Sequence, residues 1–143
     1  MSPIHNPFFI AGGVLSALAA LLHLGCIVFG APWYRFLGAG EHMARMAEAG
    51  SPYPARLTLL VAGMLMVWSA YAFSGGGVLP RLPLLRVALC AITLVYLARA
   101  VAFPAIMPMF PGNTFTFWLA SSAICAGIGI VHLIGLRQAW SQL

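Results

Sequence analysis

Residues 8–29 read FFIAGGVLSALAALLHLGCIVF, and no charged side chain interrupts them. A helix needs about 20 apolar residues to cross a bilayer, so this stretch is long enough for one crossing. Three further apolar stretches follow, at about residues 57–74, 84–103 and 115–136. Proline and glycine residues, which end helices, separate all four. The pattern predicts an all-α integral membrane protein built as a bundle of four transmembrane helices.

The composition agrees with this prediction. Only 6% of the 143 residues are charged and the mean hydropathy is +0.98, whereas about a quarter of the residues of a soluble domain are charged. Soluble and disordered chains are therefore excluded. Because four spans and their connections use up the chain, we expect one membrane domain over residues 1–143, with the lipid bilayer as its main partner.

The charges are few and scattered. All seven cations are arginines, and they form no cluster, so a nucleic-acid partner is not expected. Four spans would put both termini and the 75–83 connection on one side of the membrane, and the 30–55 and 104–114 connections on the other. Each side then holds three arginines, so the positive-inside rule does not decide the orientation. Because the 104–114 connection is uncharged, we expect both termini in the cytoplasm.

The long 30–55 connection contains a predicted amphipathic helix. Residues 41–49 read EHMARMAEA, and Glu41 precedes Arg45 by four positions, the favourable order for an ion pair on a helix. The opposite face of this helix carries the apolar residues Met43, Met46 and Ala47. The aromatic residues Trp33 and Tyr34 lie upstream and are suited to anchor the chain at the membrane interface. We expect the helix to lie on the membrane surface and to cap one mouth of the bundle.

Polar side chains inside a span are costly, so they are candidates for a functional role. Arg99 is the one charge well inside a predicted span, and a buried arginine needs a carboxylate or several carbonyls. The sequence has only two acids, Glu41 and Glu48, both in the predicted surface helix. We therefore expect a polar pocket on the exterior side, in which Arg99 pairs with one of them. Its expected ligand-binding residues are His23, Tyr34, Glu41, Arg45, Tyr96 and Arg99.

An alternative is that Glu41 pairs only with Arg45, while Arg99 extends its side chain to the membrane surface. In the fourth span Ser121, Cys125 and His132 share one face, with His132 near the cytoplasmic end. His23 lies near the exterior end of the first span, so the two histidines are not expected to share a metal.

Soft metal ligands form a loose set on the exterior side. Thioether and imidazole groups suit Cu(I), and the candidate residues are His42, Met43, Met46, Met107 and Met109. Ordinary packing by methionine is the alternative explanation. The sequence requires no metal or other cofactor, and the three isolated cysteines are expected to be inert. No nucleotide-binding or hydrolase motif occurs, which makes an enzyme the less favoured class.

The order of features also carries a resemblance. A first span is followed by a long connection with Tyr34-Arg35-Phe36-Leu37-Gly38-Ala39 and a short helix, then two spans across a tight turn, and a fourth span ending in Leu133-Ile134-Gly135-Leu136-Arg137. This layout resembles the DoxX-like group of small bacterial membrane proteins. The resemblance implies a four-helix bundle in the bacterial inner membrane with cytoplasmic termini, in some cases as a subunit beside a quinone-linked oxidoreductase. It carries no catalytic residue onto this chain.

Three functions follow as expectations, in order of preference. The first is an accessory or binding protein whose pocket holds a small amphipathic ligand, a lipid or a quinone, or docks a partner subunit. The second is a small transporter or channel working as a homo-oligomer, which is less favoured because polar residues thin out between the levels of Arg99 and His132. The third is a membrane enzyme acting on a lipid-like substrate, with His23 or Glu41 as its base.

Overall fold

A computed structural model of the protein describes residues 5–143. This part of the chain is 78% helical and contains no strand. Seven α-helices and one short 3₁₀-helix follow one another along the chain. They are α1 (Pro7–Phe29), α2 (Ala31–Phe36), α3 (Glu41–Glu48), α4 (Tyr53–Gly75), α5 (Leu85–Val101), α6 (Phe103–Ile106), the 3₁₀-helix (Met107–Met109) and α7 (Phe115–Ala139).

Three of these helices are long and apolar enough to cross a membrane. They are α1, α4 and α7, and the mean hydropathy of their most apolar windows is 2.1, 1.7 and 2.0. The helix α5 qualifies only together with the following residues 103–109, from which it is bent by 68°. By length and composition, the described residues thus form three helices that could span a membrane, or four if the bent pair is one span. This arrangement fits a multi-pass membrane protein.

The predicted third span, residues 84–103, agrees with α5 to within two residues at each end. The helix α5 ends at Val101, and α6 begins at Phe103 in a new direction. Pro104 is the physical reason, because its ring removes a backbone N–H and disfavours helical continuation through the residue before it. The other predicted spans agree with α1, α4 and α7 to within a few residues.

The two ends of the bundle are defined by contacts between connections. At the termini end, the backbone N–H of Asn6 donates to Gly76 O at 3.2 Å, and its side-chain amide donates to Gln138 Oε1 at 3.3 Å. At the opposite end, which we call the roof end, Asn113 Nδ2 donates to Gly38 O at 3.0 Å. The main helices therefore alternate in direction along the chain, as the four predicted spans require.

The roof consists of two short helices rather than the one predicted. The helix α3 is present and ends at Glu48, one residue earlier than expected, while α2 was not predicted. A small core holds both helices against the end of α1 and is formed by Cys26, Ala31, Tyr34 and Ala44. Glycine at position 30 has φ of 75°, a conformation that costs glycine little, and allows the chain to turn directly from α1 into α2.

Small residues allow the long helices to approach closely. The helix α1 packs mainly against α4, and α5 mainly against α7. A Cβ atom at Gly12 would lie 2.6 Å from Cε1 of His132, and a Cβ at Gly129 would lie 2.7 Å from Cδ2 of Leu97. Phe9 is fully buried between these helices, beside the ring of His132. Glycines at the contacts are thus part of the packing, as in many membrane helix pairs.

We predict that Gly12→Ala destabilises the protein by about 1–3 kcal/mol, the usual cost of overpacking. The added methyl would meet His132, which is fully buried and has no free space to move into. The matched control is Gly63→Ala on α4, because no heavy atom lies within 4 Å of its added Cβ. Thermal unfolding in detergent should show a loss for the first variant only. Equal stability of the two variants would contradict the close contact of α1 and α7.

Candidate functional site

Arg99 lies in the last turn of α5 and is half-buried against α7. Its Nη2 donates to Ser121 Oγ at 3.1 Å, and its Cζ lies 5.2 Å from the centre of the Trp118 ring. Its Nη1 is buried and has no hydrogen-bond partner within residues 5–143. A buried N–H without a partner costs free energy, and more so on a charged group. Arg99 is therefore a cation with an unused donor beside an aromatic ring.

The predicted pair between Arg99 and an acid of α3 is wrong. Arg35 takes both acids instead: its Nε and Nη2 donate to the two oxygens of Glu41, each at 2.9 Å, and its Nη1 donates to Glu48 Oε1 at 2.8 Å. Arg45 Nε adds a bond to Glu41 Oε1 at 3.1 Å. The physical reason is α2, which places Arg35 beside α3 so that its planar guanidinium can bind a carboxylate with two nitrogens.

This ion-pair network changes the titration of its members. Hydrogen bonds from Arg35 and then from Arg45 lower the pKa of Glu41 from 4.5 to about 2. The hydrogen bond from Arg35 also lowers the pKa of Glu48, and the two acids raise the pKa of Arg35. The side chains are well exposed, since Arg45 keeps 76% of its accessible area, so salt and water screen the network.

Tyr96 lies in the interior of the bundle rather than beside the roof. Its hydroxyl and Ser16 Oγ form a hydrogen bond of 2.9 Å, and its ring centre lies 5.6 Å from that of His132. His132 is fully buried, its Nδ1 lies 2.9 Å from Ile128 O, and its Nε2 has no hydrogen-bond partner among the described residues. These three residues from α1, α5 and α7 form a polar cluster within the apolar core.

The remaining predicted site residues make local contacts. His23 Nδ1 lies 2.7 Å from Ala19 O one turn earlier in α1. The hydroxyl of Tyr34 accepts a bond of 3.3 Å from Thr58 Oγ1 on α4, and the tyrosine is buried in the roof core. The predicted residues are therefore not brought together at one place. Glu41 and Arg45 belong to the exposed ion-pair network, Tyr34 to the roof core and Tyr96 to the interior cluster, while His23 and Arg99 make separate contacts.

The candidate copper ligands are only partly brought together. His42, Met43 and Met109 line one pocket of about 180 Å³ between the start of α3 and residues 109–111, whereas Met46 and Met107 do not line it. Within residues 5–143, no group of three or more His, Cys, Asp or Glu side chains could hold a metal ion.

Sequence reasoning missed Arg35 as the partner of both acids and Trp118 as the ring beside Arg99. It placed Ser121 and His132 on one face of the fourth span but did not pair Ser121 with Arg99. One signal for that pair was available, because Arg99 near the end of α5 and Ser121 near the start of α7 lie at the same depth when consecutive spans run antiparallel. The partner of Arg35 depends on α2, which no periodicity indicates.

Comparison with protein-family models, with curated proteins and with solved structures finds no match to this chain. The resemblance to the DoxX-like group therefore stays a prediction from the layout of the sequence.

We predict that acid weakens the roof through Glu41. Since its pKa is lower in the folded protein than its usual 4.5, its stabilising contribution is complete above about pH 4.5 and is lost as the pH falls towards about 2. Thermal unfolding in detergent across this range should give a falling midpoint for the wild type and a flatter curve for Arg35→Gln. Arg45→Gln is the control, because it removes only the single bond to Glu41, and its curve should stay closer to the wild type. Identical curves for the three proteins would show that the network is not formed.

Proposed function

We propose that this chain is a multi-pass membrane protein that binds a small amphipathic molecule at Arg99, near the roof end of the bundle. The observation that carries the proposal is the buried Nη1 of Arg99, which has no hydrogen-bond partner in the described part of the chain. Ionisable residues within membrane spans are rare and usually belong to functional sites. An oxygen acceptor on the head of a ligand would complete the hydrogen bonding of this guanidinium.

The balance of charge supports an acceptor from outside the chain. The sequence holds seven arginines and two acids, and Arg35 and Arg45 already bind both carboxylates. Arg99 donates to the neutral hydroxyl of Ser121 and lies beside the ring of Trp118, and neither group carries a negative charge. A serine hydroxyl does not neutralise a cation, so an acceptor from a ligand has a favourable place to bind.

The surroundings of Arg99 favour a ligand with an apolar body. The buried ring of Trp118 lies beside the guanidinium, and α5 is bent by 68° from residues 103–109 near the end of the span. Beyond this region the outward faces of the helices are apolar, with residues such as Val101 and Phe115 exposed. A quinone head or an anionic lipid headgroup meets both requirements, since each joins oxygen acceptors to an apolar tail. A carboxylate from a partner membrane subunit would satisfy Arg99 by the same chemistry.

The proposal includes an arrangement in the membrane. We take the bent pair of α5 and residues 103–109 as the fourth span, the bacterial inner membrane as the location, and the cytoplasm as the side of both termini. The roof end and its uncharged 104–114 connection then face the exterior. The supports are the alternating directions of the helices and the absence of charge in that connection.

We predict that a cysteine placed at Asn113 is labelled by a membrane-impermeant maleimide added to intact cells. The variant is made in a background from which the three native cysteines have been removed. A cysteine at Gly77, in the connection at the termini end, is the matched control and should be labelled only after the membrane is opened. Labelling of position 77 but not 113 in intact cells would reverse the proposed orientation.

We predict that decylubiquinone or phosphatidic acid raises the unfolding temperature of the purified wild type in detergent, because a ligand that binds only the folded state stabilises it. Arg99→Gln should abolish this increase, since glutamine cannot supply the charged donors. Whichever probe raises the unfolding temperature identifies the ligand class.

Arg56→Gln is the matched control for this experiment, because Arg56 is an exposed arginine at the same end of the bundle. It should keep the increase. If Arg99→Gln gains as much stability as the wild type from both probes, Arg99 is not the binding residue. If neither probe stabilises the wild type, the proposed ligand class is wrong.

A further inference from the structure

A second basic region lies at the termini end, on the side of the bundle opposite the roof. An open pocket of about 550 Å³ is bounded by residues 81–87 and by Leu143. Two arginines, Arg81 and Arg86, line it, and both side chains are exposed. A pocket of this size can hold a ligand headgroup. Nothing in the proposal for Arg99 involves this region.

Backbone carbonyls hold both guanidinium groups in place. Arg81 Nη1 donates to Gln142 O at 3.0 Å, and Arg86 Nη2 donates to Trp140 O at 3.0 Å and to Leu143 O at 2.9 Å. The Cζ of Arg86 also lies 4.8 Å from the centre of the Trp140 ring. Each guanidinium has further N–H donors, and these make no hydrogen bond within the described part of the chain. The two cations are therefore oriented and still have donors to offer.

No carboxylate side chain offsets these two charges. Both acids of the sequence, Glu41 and Glu48, lie in α3 at the roof end and are bound to Arg35 and Arg45. Neither arginine has an acidic side chain as its partner, so the remaining guanidinium donors can bind a phosphate, whose oxygens accept bonds from a guanidinium in pairs.

The apolar walls of the pocket indicate where such a phosphate comes from. Leu84 and Val87, beside the arginines, keep 77% and 64% of their accessible area exposed. They lie at the start of α5, where the chain enters the apolar part of the bundle. A phosphate between the arginines would leave these side chains in contact with acyl chains. Basic pockets next to apolar helix surfaces at the membrane boundary are typical sites for anionic headgroups.

We infer that Arg81 and Arg86 form a binding site for the phosphate headgroup of an anionic phospholipid at the termini end. The apolar side chains of Leu84 and Val87 contact the acyl chains of the bound lipid. The site is independent of Arg99 and its ligand.

The test measures phospholipid binding to the delipidated full-length protein by native mass spectrometry from detergent. Phosphatidylglycerol should bind more tightly than phosphatidylcholine. Each arginine near a membrane surface contributes about 1 kcal/mol to the attraction of anionic lipid, so Arg81→Gln should weaken phosphatidylglycerol binding about five-fold. The double variant Arg81→Gln with Arg86→Gln should weaken it by about 25-fold if the two effects add.

A matched control separates this site from other arginines. Arg137→Gln changes an exposed arginine in the last turn of α7, at the same end but not in the pocket. It should bind phosphatidylglycerol as the wild type does. Because Arg86→Gln also removes the bonds to Trp140 and Leu143, Arg81→Gln alone decides the question if the double variant fails to fold.

Three results would overturn the inference. The first is unchanged phosphatidylglycerol binding by folded Arg81→Gln, and the second is equal affinity of the wild type for phosphatidylglycerol and phosphatidylcholine. The third is displacement of the lipid by inorganic phosphate at comparable concentration, which would show a site for a free anion.

Discussion

The chain has seven arginines but only two acidic side chains that can form ion pairs with them. Arg35 and Arg45 bind both of them at the roof, in a network exposed to water. Every other arginine must find a neutral acceptor, an aromatic face or an acceptor outside the protein. Arg81 and Arg86 use backbone oxygens, and Arg99 uses a serine and a tryptophan. The distribution of the two acids therefore determines which arginines have no acidic side chain as a partner.

The neutral polar groups inside the apolar bundle also need hydrogen-bond partners. Within a bilayer each polar atom has to find its partner inside the protein, and most of them do. Ser69 Oγ donates to Gly13 O at 2.7 Å, and Thr93 Oγ1 donates to Leu89 O at 2.7 Å. The buried side-chain atoms without a partner in the described residues are Arg99 Nη1, Ser122 Oγ and His132 Nε2. All three lie in α5 or α7, so the buried polar atoms without a partner are concentrated in one half of the bundle.

Much of the fold follows from hydropathy alone. The charge-free runs predict α1, α4 and α7 to within a few residues, because a long apolar stretch has few alternatives to a membrane-spanning helix. The alternation of the Glu41–Arg45 pair with apolar residues likewise predicts α3. The bend after Val101 was not predicted, since Pro104 was interpreted as the end of a span rather than as a change of direction.

The candidate site was less accessible to sequence reasoning. Arg99 and Tyr96 share a helix face at three-residue spacing, but their partners come from α7 and α1, which periodicity within α5 cannot identify. The expected pair of Glu41 and Arg45 is present, but one of the two acids was wrongly assigned to Arg99. Arg35 was missed because it reaches α3 only through α2, a helix too short to leave a periodic signal. Pairing between elements depends on three-dimensional packing, whereas the existence of each long helix depends mainly on local composition.

An experimental structure of the protein in a bilayer nanodisc would test the role of Arg99 most directly. At a resolution that places individual oxygens, we expect an acceptor from a bound amphipathic molecule about 3 Å from Arg99 Nη1, with Glu41 and Glu48 still bound to Arg35. A carboxylate of Glu41 or Glu48 at that distance instead would contradict the proposal, because Arg99 would then be satisfied within its own chain.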